Sequence, residues 1–211
     1  MRIIKKIFGQ TRKPEGFLGK MMVKGMNNGH AKMADWGLSH LPTATPAKIL
    51  EIGCGGGRNV GGLLKKYPLS KVTAMDFSPV CVEKTTQYNR EAIASRRCVV
   101  QQGDVSSLDF PKKTFDIATA FETIYFWPGL EHCFAEVFSV LKEGGLFMIV
   151  NESDGTDRSS LRFEKIIDGM KCYTTEEIET ALRKAGFSEV EAERHPSKPW
   201  ITVLAKKRHS Y

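Results

Sequence analysis

The 211-residue sequence lacks several features that would place it in familiar classes of protein. Its five cysteines are scattered, odd in number and never spaced as CxxC, which argues against a disulfide framework and against a structural zinc site. No apolar run approaches the roughly 20 residues of a transmembrane helix, and the basic N-terminus has no apolar core like that of a secretory signal. These absences predict a cytoplasmic protein with no transmembrane segment and no metal site.

Two nucleotide-binding signatures are also missing. The glycine loop E-I-G-C-G-G-G-R-N at 51–59 has no set of glycines at i, i+2 and i+5, so the dinucleotide fingerprint is absent. No GK[ST] follows the loop, which excludes a P-loop. The loop therefore predicts that a ligand closely approaches bare backbone, but through neither a dinucleotide fingerprint nor a P-loop.

Charge is unevenly distributed along the chain. Residues 1–48 contain nine Lys and Arg residues and two acids, which accounts for the whole net charge of +7. A basic arm can contact nucleic acid or an anionic membrane, and the apolar and basic residues of 1–8 alternate as in peripheral membrane helices. A solvated N-terminal helix beside an anionic-substrate cleft is the simpler interpretation.

From residue 48 onward, strand-like and helix-like segments alternate. Alternation of this kind predicts a parallel sheet with helices on both faces, a Rossmann-like doubly wound α/β fold. A basic helical segment at 1–47 would precede the domain at 48–211. Strands are predicted at 48–53, 71–77, 98–104, 115–122, 146–152, 188–195 and 200–207, and helices at 58–67, 79–95, 130–145 and 174–187.

Acidic residues follow the second and third predicted strands, where such sheets bind ligands. A carboxylate at Asp76 can accept two hydrogen bonds from vicinal ribose hydroxyls. Asp104 could accept a hydrogen bond from the exocyclic amine of adenine. Together with the glycine loop after the first strand, these two acids predict a ligand that contains a nucleoside.

Five segments in this order resemble the successive motifs of class I S-adenosylmethionine-dependent methyltransferases. The resemblance covers about residues 48 to 207 and is closest to the small-molecule branch that includes ubiquinone- and menaquinone-pathway enzymes. It implies a seven-stranded sheet whose last strand is antiparallel. The segments are E-I-G-C-G-G-G at 51–57, M-D-F-S at 75–78, G-D-V at 103–105, F-D-I-A-T-A-F-E at 115–122 and L-K-E-G-G-L-F-M-I at 141–149.

The resemblance implies S-adenosylmethionine as cofactor and assigns residues to each part of it. The methionine moiety would lie against the glycine loop, the ribose on Asp76, the adenine on Asp104, and the sulfonium beside the end of the fourth strand. The residues implied are Glu51, Gly53, Cys54, Gly55 and Gly57 for the methionine moiety, Asp76, Phe77 and Ser78 for the adenosine, Asp104 and Val105 for the adenine, and Phe121 and Glu122 near the sulfonium.

The methyl acceptor is expected to be a small molecule, and three regions could contact it. They are the N-terminal segment around His30, the residues 122–127, which include Glu122, Tyr125 and Trp127, and the segment 151–173, where relatives place substrate-covering insertions. Any general base would come from among His30, Glu122 and Tyr125, and the sequence does not choose between them.

Two other functions stay open at this point. The basic N-terminal segment would suit a methyltransferase that acts on RNA or protein, although no Asn-Pro-Pro-aromatic sequence follows the fourth strand, which disfavours an amino-methylating nucleic-acid enzyme. A non-catalytic module that binds S-adenosylmethionine would share the same loop and acids. The oligomeric state is not predicted.

Overall fold

The computed structural model describes residues 30–43 and 47–208, and these form one seven-stranded sheet in the order β3-β2-β1-β4-β5-β7-β6. Strands β1 to β5 pair in parallel, whereas β7 is antiparallel to both of its neighbours, as predicted. The strands are β1 (Lys48–Ile52), β2 (Lys71–Asp76), β3 (Cys98–Gln102), β4 (Phe115–Phe121), β5 (Leu141–Asn151), β6 (Glu189–Arg194) and β7 (Ile201–Lys206).

Seven α-helices and one 3-10 turn connect the strands within these residues. None of the helices among the described residues combines the length and apolar character needed to cross a bilayer. The amphipathic pattern at residues 1–8 lies outside the described part of the chain. The helices are α1 (Ala31–His40), α2 (Arg58–Lys66), α3 (Pro79–Tyr88), α4 (Arg90–Ala94), α5 (Leu130–Val140), α6 (Arg158–Glu164) and α7 (Thr175–Lys184), and the 3-10 turn is Ile124–Phe126.

Two buried apolar clusters cover the two faces of the sheet, as a doubly wound fold requires. One cluster joins strand residues such as Phe147 to Phe134 of α5 and Leu182 of α7. The other joins the opposite face to Met33 of α1 and Leu63 of α2. Both faces of the central strands are therefore buried, which leaves the carboxyl ends of the parallel strands as the accessible edge.

The helix predicted at 130–145 ends earlier than its sequence pattern suggests. It ends at Val140, and Gly144 and Gly145 at the end of the predicted range lie instead in a bulged part of β5. There Gly144 adopts φ 75° and donates a hydrogen bond to the Lys207 carbonyl at 2.8 Å. Pairing with the chain after β7 satisfies this backbone, and a helix stop is not needed.

The helix predicted at 79–95 is divided at Asn89 into α3 and α4. The buried Asn89 amide donates to the Gly57 carbonyl at 3.0 Å, which ties the break to the glycine loop. A tertiary hydrogen bond thus overrides a helical pattern that was continuous in the sequence.

Helix α1 packs closely on β5 because it contains a glycine at the contact. A Cβ atom added to Gly37 would lie 2.7 Å from Cγ1 of Val150. This close approach directs the N-terminal end of α1 toward the residues that follow β4 and β5. The helix therefore brings a distant part of the chain to the ligand-binding edge of the sheet.

Candidate functional site

The loop between β1 and α2 presents bare backbone at the edge of the sheet. The N–H groups of Gly53 and Cys54 both donate to the Met75 carbonyl, at 2.8 and 3.0 Å, which fixes the loop to the end of β2. Gly55 has φ 52°, and a Cβ atom added to it would meet no atom closer than the Gly53 carbonyl oxygen at 4.0 Å. The loop is therefore held rigidly while one side of it faces open space.

Asp76 is anchored by two backbone donors at the end of β2. Its Oδ2 accepts from the Gly55 N–H and its Oδ1 from the Ser78 N–H, both at 2.9 Å. Burial raises the pKa of Asp76, and the two backbone hydrogen bonds oppose that shift. The orientation of the carboxylate is therefore settled before any ligand hydroxyl binds.

Asp104 is held in a similar way after β3. Its Oδ1 accepts from both the N–H and the hydroxyl of Ser106, at 2.8 and 2.7 Å. The next residue, Val105, is buried, whereas Phe77 after β2 is 52% exposed. An aromatic ring and an aliphatic side chain thus accompany the two carboxylates, a combination that suits a heterocycle with polar edges.

One cavity at this edge collects most of the residues predicted for the site. Among the described residues, its lining contains no Lys or Arg, and its three carboxylates are accompanied by one histidine. The predicted residues in its lining are His30, Gly53, Cys54, Gly55, Asp76, Phe77, Asp104, Val105, Phe121, Glu122 and Trp127.

Three residues predicted to bind the cofactor do not line this cavity. Glu51 is fully buried beneath the loop, where its Oε2 accepts a hydrogen bond from the Thr119 hydroxyl. Burial raises the pKa of Glu51, and its Oε1 has no hydrogen-bond partner in the described structure. Gly57 caps α2 at φ 85°, and Ser78 caps α3 and donates its backbone N–H to Asp76. Each of these residues shapes the wall from behind.

Glu122 lies at a strained point directly after β4, with φ 57°. Its Oε1 accepts from the Tyr125 hydroxyl at 3.1 Å and from the backbone N–H of Glu152. Burial raises the pKa of Glu122 to about 8, with a smaller contribution from the charge of Glu152. A positive φ in a non-glycine residue is uncommon, and such strain concentrates at functional sites.

His30 reaches this acidic corner from the start of α1. Its Nδ1 lies 3.9 Å from Oε2 of Glu122, and its Nε2 lies 3.5 Å from Oε2 of Glu152. Tyr125 is buried behind Glu122, where its hydroxyl accepts from the Ser153 N–H at 3.1 Å. The three predicted base candidates therefore meet at one end of the cavity, although Tyr125 is not in its lining.

Several residues of the site were predicted only as members of a segment. Glu152 follows β5 and lies in the segment 151–173 that was expected to contact the acceptor, but no motif singles it out. Thr123, within 122–127, accepts a hydrogen bond from the Trp127 indole at 3.1 Å and thereby orients that ring. Ile52, Gly56 and Asn59 belong to the predicted loop 51–59 and Phe126 to the segment 122–127, whereas no role was predicted for the lining residues Met33, Met75, Cys81, Gly103 and Pro128.

Comparison with known proteins agrees with this geometry. Residues 49–145 match the family model described as "Methyltransferase domain". A solved chain from the complex between the Haloferax volcanii Trm112 methyltransferase activator and a methyltransferase has the same fold, with a TM-score of 0.81 at 19% identity over 89% of this chain and 94% of that one. By sequence, residues 49–145 are thus similar to a methyltransferase domain, and the fold of the chain is that of the solved structure.

Curated relatives that are similar to this chain include a sterol methyltransferase and a hydroquinone methyltransferase. Sterol 24-C-methyltransferase ERG6A of Gibberella zeae is 29% identical over 175 residues, which is 75% of this chain and 45% of the relative. The 2-methyl-6-phytyl-1,4-hydroquinone methyltransferase 2 of Oryza sativa subsp. japonica is 29% identical over 70% of this chain and 40% of the relative. The chain thus matches less than half the length of these relatives.

Proposed function

We propose that the protein transfers a methyl group from S-adenosylmethionine to a small-molecule acceptor. The observation that carries this proposal is the joint presence, in one cavity, of the bare glycine loop and two anchored carboxylates after β2 and β3. The loop would accommodate the methionine moiety, Asp76 the ribose hydroxyls and Asp104 the adenine amine. The bound cofactor supplies an activated methyl group on a sulfonium.

The residues present fit this cofactor. The open side of Gly55 leaves room that a larger side chain would fill, and the adjacent carboxylate of Asp76 is already oriented by backbone donors. The cavity lining has three carboxylates, Asp76, Asp104 and Glu122, and no Lys or Arg in the described residues. An acidic lining favours a ligand that carries a positive charge, as a sulfonium does.

The acceptor would lie toward the Glu122 end of the cavity. Apolar side chains dominate the wall there, among them Met33, Phe121, Phe126 and Trp127. The sterol and hydroquinone named for the relatives are largely apolar, and this wall suits an acceptor of the same character. The chain would contribute alignment and exclusion of water, since the methyl group is already activated.

Calorimetric titration of the full chain with S-adenosylmethionine, S-adenosylhomocysteine and NADH tests the cofactor assignment. We expect both sulfur nucleotides to bind and NADH not to bind. Asp76→Ala should weaken binding of S-adenosylhomocysteine by roughly 2–4 kcal/mol, because it removes two charge-assisted hydrogen bonds to the ribose.

Asp109→Ala is the matched control, because Asp109 is an exposed acid that follows β3 but does not line the cavity. It should bind S-adenosylhomocysteine as the unmodified protein does. A folded protein that binds neither sulfur nucleotide would refute the proposal. Equal loss of affinity in Asp76→Ala and Asp109→Ala would show that the ribose does not lie on Asp76.

A further inference from the structure

The corner where α1 meets the ends of β4 and β5 contains a convergent set of donor atoms. One atom each from His30, Glu122 and Glu152 lie within 4.8 Å of one another. Protein ligands lie about 2.0–2.2 Å from a tetrahedrally coordinated ion such as Zn²⁺, so two donors on one ion are roughly 3.3–3.6 Å apart. Side-chain movements that shorten each donor–donor distance by about 1–1.5 Å would bring the three atoms to such distances.

Charge at this corner is also suited to a cation. Two carboxylates face a single imidazole, and the ion pairs of Glu122 and Glu152 in the described structure all run to His30. The side chain of Glu122 is only 13% exposed, and burial favours its neutral form. A bound divalent cation would compensate the charge of both carboxylates in their ionised form.

The hydrogen bonds around Glu122 leave one of its oxygens for a ligand. Its Oε1 is occupied by the Tyr125 hydroxyl and by the backbone N–H of Glu152, whereas its Oε2 is the oxygen that faces His30. Partners of this kind, which orient a ligating carboxylate from behind, are typical of metal sites. This orientation of the Glu122 carboxylate is an observation separate from the negative charge of the two acids.

We propose that His30, Glu122 and Glu152 bind one divalent cation at the wall of the cavity. The mixed set of one imidazole and two carboxylates suits Mn²⁺, Fe²⁺ or Zn²⁺ among common ions. Three protein ligands leave further coordination positions open, as in catalytic rather than structural metal centres. Because His30 and Glu122 line the cavity, those positions are accessible from it.

The sequence did not predict this site because the three ligands come from separate segments. His30 precedes α1, Glu122 follows β4 and Glu152 follows β5. No spacing of the kind seen in CxxC or HExxH sites joins them. The packing of α1 on the sheet, which includes the close contact of Gly37 with Val150 of β5, brings His30 to the two carboxylates.

Titration of the full chain with Mn²⁺, followed by the electron paramagnetic resonance signal of the free ion, tests the proposal. We expect one Mn²⁺ to bind per chain, with pulsed spectra that show coupling to a histidine nitrogen. His30→Ala should abolish that coupling. Glu152→Gln should weaken affinity roughly 10-fold or more, since even the loss of an outer partner costs about 10–100-fold.

The other end of α1 offers a matched control. His40 Nε2 lies 2.9 Å from Oε2 of Glu193, a histidine–carboxylate pair that lacks a second acid. His40→Ala and Glu193→Gln should leave Mn²⁺ binding and the nitrogen coupling unchanged. If both sets of variants behave alike, or if free Mn²⁺ is not depleted, the proposed site does not exist.

Calorimetry with S-adenosylhomocysteine on the same samples separates this proposal from the proposed function. Glu152→Gln should bind S-adenosylhomocysteine, because Glu152 does not line the cavity, and this binding also reports that the variant is folded. Binding of Mn²⁺ without binding of S-adenosylhomocysteine would refute the cofactor assignment and retain the cation site. The reverse result would retain the cofactor and refute the cation site.

Discussion

The two ends of the cavity are built in different ways. At the loop end, Asp76 and Asp104 are oriented by donors that lie two residues later in the chain or in the adjoining glycine loop. At the other end, a hydrogen bond from the Glu152 N–H joins Glu152 to Glu122, and His30 reaches both acids from α1 through charge. The first end is determined by local motifs, and the second depends on how α1 packs.

Substitutions at Gly53 and Gly55 separate the contribution of the glycine loop to stability from its contribution to ligand binding. A Cβ atom on Gly53 would lie 2.8 Å from Cβ of Thr123, whereas one on Gly55 would enter open space. Gly53→Ala should therefore lower the free energy of unfolding by roughly 2–4 kcal/mol through strain and overpacking. Gly55→Ala should cost about 1–2 kcal/mol in stability through its positive φ.

The affinity for S-adenosylhomocysteine is the second quantity that distinguishes Gly53 from Gly55. Gly55→Ala should weaken binding of S-adenosylhomocysteine although its stability cost is the smaller of the two. Urea unfolding and calorimetry measure the two quantities on the same protein. If Gly55→Ala binds as well as the unmodified chain, the open side of the loop does not face the cofactor.

Gly37→Ala tests the dependence of the second end on packing. The added methyl group would clash with both γ carbons of the stiff side chain of Val150, at 2.5 and 2.7 Å. We expect a loss of about 1–3 kcal/mol in the free energy of unfolding and, because α1 must shift, weaker Mn²⁺ binding. Affinity for S-adenosylhomocysteine should change much less, and equal loss of both ligands would contradict the distinction between the two ends.

Thr174→Ala provides a stability change away from the cavity. The Thr174 hydroxyl accepts from the Glu177 N–H while the Glu177 carboxylate accepts from the Thr174 N–H, a complete capping box at the start of α7. Its loss should cost about 1 kcal/mol by urea unfolding. Binding at either end of the cavity should be unchanged, and a coupled loss of affinity would mean that stability alone explains the effects above.

The smallest expected effect is the pH dependence of the stability that Glu177 provides at the start of α7. Backbone hydrogen bonding at Thr174, followed by the contact with Lys171, lowers the pKa of Glu177 below its usual 4.5. The ionised form therefore stabilises the fold above pH 4.5, and that contribution is lost as the pH falls through the lowered pKa. Glu177 is exposed, so the effect should stay below about 1 kcal/mol.

Glu177→Gln isolates this contribution from the other titrating groups. Its deficit in the free energy of unfolding should be present at pH 7 and should shrink as the pH falls through the lowered pKa of Glu177, where the carboxylate of the unmodified chain takes up a proton. A deficit that does not change with pH would mean that the charge of Glu177 does not stabilise the cap.

Much of the fold could be predicted from the sequence, because strand-like and helix-like segments are recognisable from local patterns and follow one another in a regular order. Alternating segments indicated the doubly wound sheet, and all seven strands lie where their patterns placed them, with ends differing by a few residues. The errors lie at Asn89, where an amide bonded to the Gly57 carbonyl breaks a helix, and at Gly144, where pairing with the chain after β7 replaces a helix stop. Both depend on partners distant in sequence.

The sequence by itself determined the loop end of the cavity, because each of its groups follows a strand and the carboxyl ends of parallel strands share one edge. Only the tertiary structure decided the other end. There a glycine on α1 lets the helix approach β5, and this approach brings His30 to Glu152 and to Glu122. Such contacts depend on shape and distance between whole elements, which no local pattern encodes.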